Sequence, residues 1–256
     1  MLSICLRLAC ELNALSSGLT TPAHAEQALL RLVPAHHVAD SDELLGMPEH
    51  DPVASVPVRM ALSRIGVGSP CPTSSGPSPT EPTRWALLLP GPGRPAGLRG
   101  PAEVTAAAMD AGVVVTCHES PRDDLLGLTW IGHLVGQGVH WRLLRARRPL
   151  PPPTPAEASG QLRAAMIHAR EVLTDLDDVA GNRPDVVAPT LGRGHVKGDQ
   201  SLLDLAWTVL HACDAGLASN HEILTAHGTG TRERALRDLR QVAAEALTAA
   251  VSWPGR

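Results

Sequence analysis

The chain has no Phe and no Tyr in 256 residues, and Trp85, Trp130, Trp141, Trp207 and Trp253 are its only large aromatic side chains. Without phenols there is no tyrosine acid or hydroxyl anchor, and no ladder of rings on which successive nucleic-acid bases could stack. Lysine is almost missing as well. Lys197 stands alone, arginine carries nearly all the positive charge, and the formal net charge is −4. That balance offers no concentrated basic face, which argues against nucleic acid and against an anionic membrane surface as partners. The five cysteines, Cys5, Cys10, Cys71, Cys117 and Cys213, form no C-x-x-C pair and are odd in number, so neither a disulfide framework nor a four-thiolate zinc site is implied. No apolar run approaches the ~20 residues of a spanning helix. Met1 to Cys10 lacks a basic leader and is broken by Arg7. These absences point to a soluble, cytoplasmic chain.

What is present is a globular composition, 43% hydrophobic and 19% charged. The length suits one large domain or two small ones. With so few rings, the core is expected to be filled by Leu, Val and Ala. Residues 1–66 read as a helical segment packing on a sheet. Leu2, Cys5, Leu6 and Ala9 mark one helix that Gly18 ends, and Thr21 followed by Pro22 caps a second, carrying Ala25, Ala28, Leu29 and Leu32. Residues 67–82, rich in Pro, Ser and Gly, are expected to be a flexible loop. Residues 83–148 read as a small α/β sheet. Its strands are expected at Trp85–Leu89, Val113–Cys117, Leu128–Val135 and Val139–Ala146, with a helix opened by Pro101 and closed by Gly112. A proline-rich linker at 149–155 leads into a helical bundle over 156–256. Its first helix starts at a Thr154/Glu157 capping box, and Leu202–Leu217 and Leu236–Val251 supply two more helices. The fold class is therefore α+β, a small mixed sheet with one or more helices followed by a C-terminal helical bundle.

The twelve histidines raise the question of a metal site on the β-hairpin. A three-residue loop of Gly136, Gln137 and Gly138 pairs Leu134 with His140 and His133 with Trp141, which sends His133 and His140 to opposite faces. Cys117 and His118 diverge for the same reason. Neither metal nor cofactor is expected; only another register would gather a ligand set.

Three further groups carry chemistry. His211 lies one helical turn from Asp214 and two from Asp204, an arrangement that can orient an imidazole or simply form a solvated stripe. The loop PGPGRPAGLRGP, Pro90 to Pro101, sits between strand and helix. Its prolines remove backbone donors, leaving Arg94 and Arg99 as side-chain anchors for an anion. In the sequence His227-Gly228-Thr229-Gly230-Thr231 every amide is free, and Arg232 follows, so Gly228, Thr229, Thr231 and Arg232 make a second candidate anion site, with Thr231 read as a helix N-cap. The letters HGTGT resemble the histidine motif of beta-ketoacyl synthases. The likeness stops at five residues, because the nucleophilic cysteine and its serine-rich turn have no counterpart upstream, and it is taken as coincidence.

The phrase WALLLPGPGRPAGLRGP followed by an Ala-rich helix resembles uncharacterised proteins of high-GC actinobacteria, over Arg84 to Leu176. The resemblance implies a bacterial cytoplasmic setting and brings no activity. Taken together, the sequence favours a non-catalytic protein-interaction or regulatory module, with a protein partner or a second copy of itself on a helix face or in an inter-domain groove. The alternative is an enzyme acting on a small anionic substrate between sheet and bundle, with Arg94 and Arg99 as anchors and His211 or His227 as acid and base.

Overall fold

The computed structural model describes residues 1–47, 55–66, 83–174, 184–218 and 226–254. The proline-rich segment 67–82, with Cys71, lies outside the described residues. Among the described residues the architecture is a six-stranded mixed sheet with seven helices, the α+β class expected from the sequence pattern. It divides into two compact units. Met1–Pro152, Leu191–His195 and Val251–Arg256 form the first, and Pro153–Thr190 with Val196–Ala250 form the second.

The first unit opens with helices α1 (Leu2–Ser16) and α2 (Pro22–Leu30). Gly18 adopts a φ of +67° beyond the end of α1, and the Thr21 Oγ accepts from the His24 amide at 3.3 Å to cap α2, as the sequence signals required. Then come β1 (Ala35–Ala39), the two-residue β2 (Val56–Pro57) and α3 (Val58–Gly66), none of which stands out as a periodic run. The remaining elements are β3 (Arg84–Leu88), α4 (Ala102–Ala111), β4 (Val114–Glu119), β5 (Leu128–Val135) and β6 (Gly138–Arg145), within two residues of the expected bounds. Gly112, at φ +69°, closes α4 in the left-handed conformation glycine takes most readily.

Across the sheet the order is β2-β1-β6-β5-β4-β3. Only β1 and β6 run parallel. Side chains alternate faces along a strand, so the register defines two surfaces. On one, Trp85, Leu87, Val115, Trp130, Leu143 and Trp141 are fully or almost fully buried, and α1 packs against β3 and β4. Trp85, Trp130 and Trp141 are among the largest fully enclosed side chains, so three of the five rings join the aliphatic residues on this face of the sheet. Gly132 lies opposite Trp141, and a Cβ at this glycine would stand 2.7 Å from the indole. The missing side chain is the space the indole occupies.

On the other surface α4 covers only part of the sheet. Its Val104 and Ala108 join Ala86, Leu88, Val114, Ile131 and Leu144 in one apolar cluster, which draws on β3, β4, β5 and the C-terminal half of β6. Nothing in that cluster comes from β1 or from the first half of β6.

The hairpin register differs from the expected one. The turn has two residues, not three: Val135 pairs with Gly138, Leu134 with Val139 and His133 with His140. Gly136, at φ +59°, supplies the first central position where two-residue turns of type II′ call for glycine. A shift of one residue reverses the face of every side chain it affects, so His133 and His140 share a face.

In the second unit, α5 (Pro155–Thr174) begins at the expected capping box. The Glu157 carboxylate accepts from the Thr154 amide at 2.9 Å, and the Glu157 amide donates back to the Thr154 hydroxyl at 3.4 Å. Helix α6 (Lys197–Ala218) packs on α5. Helix α7 (Ala226–Ser252) packs on α6 through the Arg240–Asp214 ion pair at 2.5 Å and the close approach of Gly216 to Leu236. The HGTGT segment is the first turn and a half of α7 rather than a loop before it, and Thr231 is inside the helix, which removes its N-cap role.

The C-terminal residues from Val251 onward belong to the first unit. Asn13, fully buried on α1, accepts from the Trp85 amide at 2.8 Å and donates to the carbonyls of Trp85 at 2.9 Å and Val251 at 3.2 Å. Replacing Asn13 by Ala leaves one buried donor and two buried acceptors without these partners. A stability loss of about 3 kcal/mol or more is expected in urea denaturation; a loss below ~0.5 kcal/mol would show that the three bonds are not a structural junction.

Candidate functional site

Two of the histidines are structural. His36 is buried on β1, with its Nε2 on the Leu29 carbonyl at 3.1 Å and its Nδ1 accepting from the Trp141 indole at 3.2 Å. An indole only donates and a carbonyl only accepts, so the ring is neutral and carries its proton on Nε2; burial lowers its pKa. His118 on β4 is also buried and stands edge-on to Trp253 at 5.3 Å. Burial first, and the Arg84 guanidinium second, bring its pKa down to about 4. Burial also keeps four thiols in the protonated form: it pushes Cys5 and Cys117 up to about 12, and Cys10 and Cys213 up to about 11.

Three others are placed differently. The parallel register sets His37 beside His140, and the antiparallel register sets His140 beside His133. One histidine from each of β1, β6 and β5 thus forms a row across three adjacent strands, on the surface that α4 leaves uncovered. His37 is exposed, and His133 and His140 are half-buried. Burial first, then the neighbouring His133 and His37 rings, lower the pKa of His140. His37 and His140 also line a cavity of about 440 Å³ with Pro34, Ser55, Val135 and Gln137. Two residues along β6, Arg142 lies 3.7 Å from Glu103 of α4. The rings stand side by side: among the described residues no three His, Cys, Asp or Glu side chains are gathered as a metal-holding set.

The residues singled out from sequence fall in both units. Arg94 closes a tight turn by exchanging backbone hydrogen bonds with Gly91 at 2.8 and 2.9 Å, and Arg99 pairs in a short bridge with Arg147. Both side chains are exposed on the first unit. In the second unit, Arg232 is buried and donates to the Gly216 carbonyl at 2.8 Å, so its guanidinium ties α7 to α6. Gly228, Thr229 and Thr231 are helical residues near the start of α7, as is His227. His211 packs against Trp207, ring centres 4.8 Å apart. The carboxylates expected to orient it are engaged elsewhere, Asp214 with Arg240 and Asp204 with Gln200 at 2.8 Å. The histidine row was missed because a three-residue turn was assigned and because the adjacent histidines of β1 hid its alternation.

Residues 5–158 match the family model described as Rv1486c-like protein, N-terminal domain. The chain belongs to this family. The matched span contains every strand of the sheet and all three histidines of the row, whereas α6 and α7, with His211 and His227, lie beyond it. No curated protein and no solved structure matches the chain. No helix among the described residues is long and apolar enough to cross a membrane.

His118 sets a pH dependence. Its folded pKa of about 4 lies below the ordinary imidazole value, so the unfolded chain takes up the proton first as the pH falls. Stability is therefore intact above about pH 6.5 and declines toward pH 4, by about 3 kcal/mol across that window. Urea denaturation of the wild type and of His118→Gln at pH 7 and pH 4.5 checks this. The variant should lose clearly less stability on acidification, and equal losses would rule out the assignment.

Proposed function

We propose that the chain is a non-catalytic protein-interaction module of an actinobacterial cytoplasm, and that its docking surface is the half of the sheet left bare by α4. One observation carries the reading: β1, β6 and β5 present a formed face that the chain does not pack against α4. Its lining is mixed in a way that suits a partner. Val135 is 63% exposed on this face, and Leu134 is 59% exposed at the same hairpin tip. Leu134, one residue earlier, points to the opposite face, so Val135 is the apolar anchor here, and an exposed apolar side chain rimmed by polar groups suits an interaction surface. The polar groups here are His37, His133, His140 and Arg142, with Glu103 already drawn to Arg142. The complementary partner is a protein segment with apolar side chains flanked by carboxylates.

The non-catalytic part of the reading is supported by the local surroundings of several of the candidates. The four described thiols are buried, the carboxylates nearest His211 in sequence are engaged with other side chains, and Arg94 and Arg99 sit on a tightly bonded connector. An activated nucleophile requires a base within hydrogen-bond reach and a group that orients the base. None of these residues meets that requirement.

Affinity capture with the full chain tests the surface. A photoreactive residue at position 135 should crosslink a discrete protein. Capture of that protein should fall at least about tenfold, or about 1.4 kcal/mol, in Val135→Asp, and should persist in Ile167→Asp, an exposed apolar control on α5. Single replacements of His211 and His227 by Ala should leave it intact. Retention by Val135→Asp, equal loss in the control, or crosslinking only to a second copy of the chain would each overturn the reading.

A further inference from the structure

We propose that His140, with His37 or His133 beside it on the neighbouring strand, binds one divalent transition-metal ion of the zinc, nickel or copper class. The inference is independent of the interaction reading and rests on sheet geometry. The three residues are consecutive partners across β1, β6 and β5, and side chains directly opposite on neighbouring strands have Cβ atoms ~4.5–5.5 Å apart. An imidazole nitrogen meets such an ion at ~2.0–2.1 Å. A histidine ring reaches well beyond half the inter-strand spacing, so two adjacent rings close on one ion by rotation about their own side-chain bonds. The backbone need not move, because the ladders already hold it.

His140 is the centre of the arrangement. It neighbours both other rings and can share an ion with either, so it is the ligand common to every closed form. His37 and His140 open onto the same cavity of about 440 Å³, which leaves room for the ion and its remaining waters. The donor set is imidazole alone. Such a set selects zinc, nickel and copper over magnesium and calcium, which take oxygen ligands. Arg142, two residues from His140 on the same face of β6, is drawn toward Glu103 of α4 at 3.7 Å, which partly offsets its repulsion of a bound ion.

The hairpin turn decides whether this set exists. With one more residue in the loop, His133 would leave the face; with Gly136 at φ +59° closing a two-residue turn, it stays. Gly136 is in this sense a positioning residue for the site.

Isothermal titration of the isolated full-length protein with zinc and with nickel at pH 7.5 tests the proposal, on the wild type, His140→Ala and the double variant His37→Ala/His133→Ala. Circular dichroism confirms that each is folded. One ion per chain is expected, with affinity weakened at least about tenfold in both variants. A copper-loaded sample should show coupling to imidazole nitrogens in its electron paramagnetic resonance spectrum, and His140→Ala should lose it. Absence of binding at millimolar metal overturns the proposal, as does undiminished binding in His140→Ala, which would place the ion among other histidines. No partner is present in this titration, and the crosslinking and capture experiment is run with a chelator, so either result stands without the other.

Discussion

The side chain of Asn13 is the junction on which the first unit depends. An amide has one acceptor and two donors, and Asn13 commits its oxygen to the Trp85 amide and its nitrogen to the Trp85 and Val251 carbonyls. One residue thereby joins the first helix, the edge strand β3 and the end of the last helix. A hydrophobic side chain of similar volume would leave three buried backbone groups without these partners, a cost of the kind that unfolds marginal domains. Around it the tail is held further. Trp253 lies 4.8 Å beneath the Arg84 guanidinium, which is also paired with Glu119 at 3.1 Å, and its ring meets His118 edge-on. The scarcity of aromatic residues makes this concentration more consequential: most of the large rings are spent fastening the sheet to its surroundings.

A second constraint follows from the size of α4. Ten residues span ~15 Å at the rise of an α-helix, and six strands at ~4.8 Å separation extend well beyond that. A single short helix cannot reach the whole sheet, and on the part beyond α4 the strands carry histidines and a few apolar residues. Imidazoles suit a half-exposed sheet surface because neutral rings tolerate partial burial and still offer a polar edge. The opposite face has no such freedom, and there His36 is fixed in one tautomer by the groups it meets.

Much of this was legible in the residues. Thr21-Pro22, Pro101 with Gly112, and Thr154 with Glu157 punctuate helices by local chemistry alone, and the structure places helix ends at each of them. The strands of the middle block were visible as short apolar runs. What escaped was set by context. The segment Ala35-His36-His37-Val38-Ala39 is a strand because it pairs in parallel with residues a hundred positions later, a relation no local window contains. The start of α7 was hidden because Gly228 and Gly230 disfavour helix by ~1 kcal/mol each, yet a helix of 27 residues absorbs that cost through its packing, with Arg232 fastened to the preceding helix. The register of the hairpin turned on a single residue of loop length, and with it turned the facing of His133.

The parallel pairing of β1 with β6 has a bearing on when the histidine row comes into being. Its two members on β5 and β6 are brought together by a local hairpin, which closes early. The third arrives only when a strand near the beginning of the chain docks against residues some hundred positions downstream, a contact of long loop closure that forms late. A molecule in which the hairpin has formed but β1 has not docked holds two of the imidazoles in place and lacks the third, so the complete row is itself a signature of a finished fold.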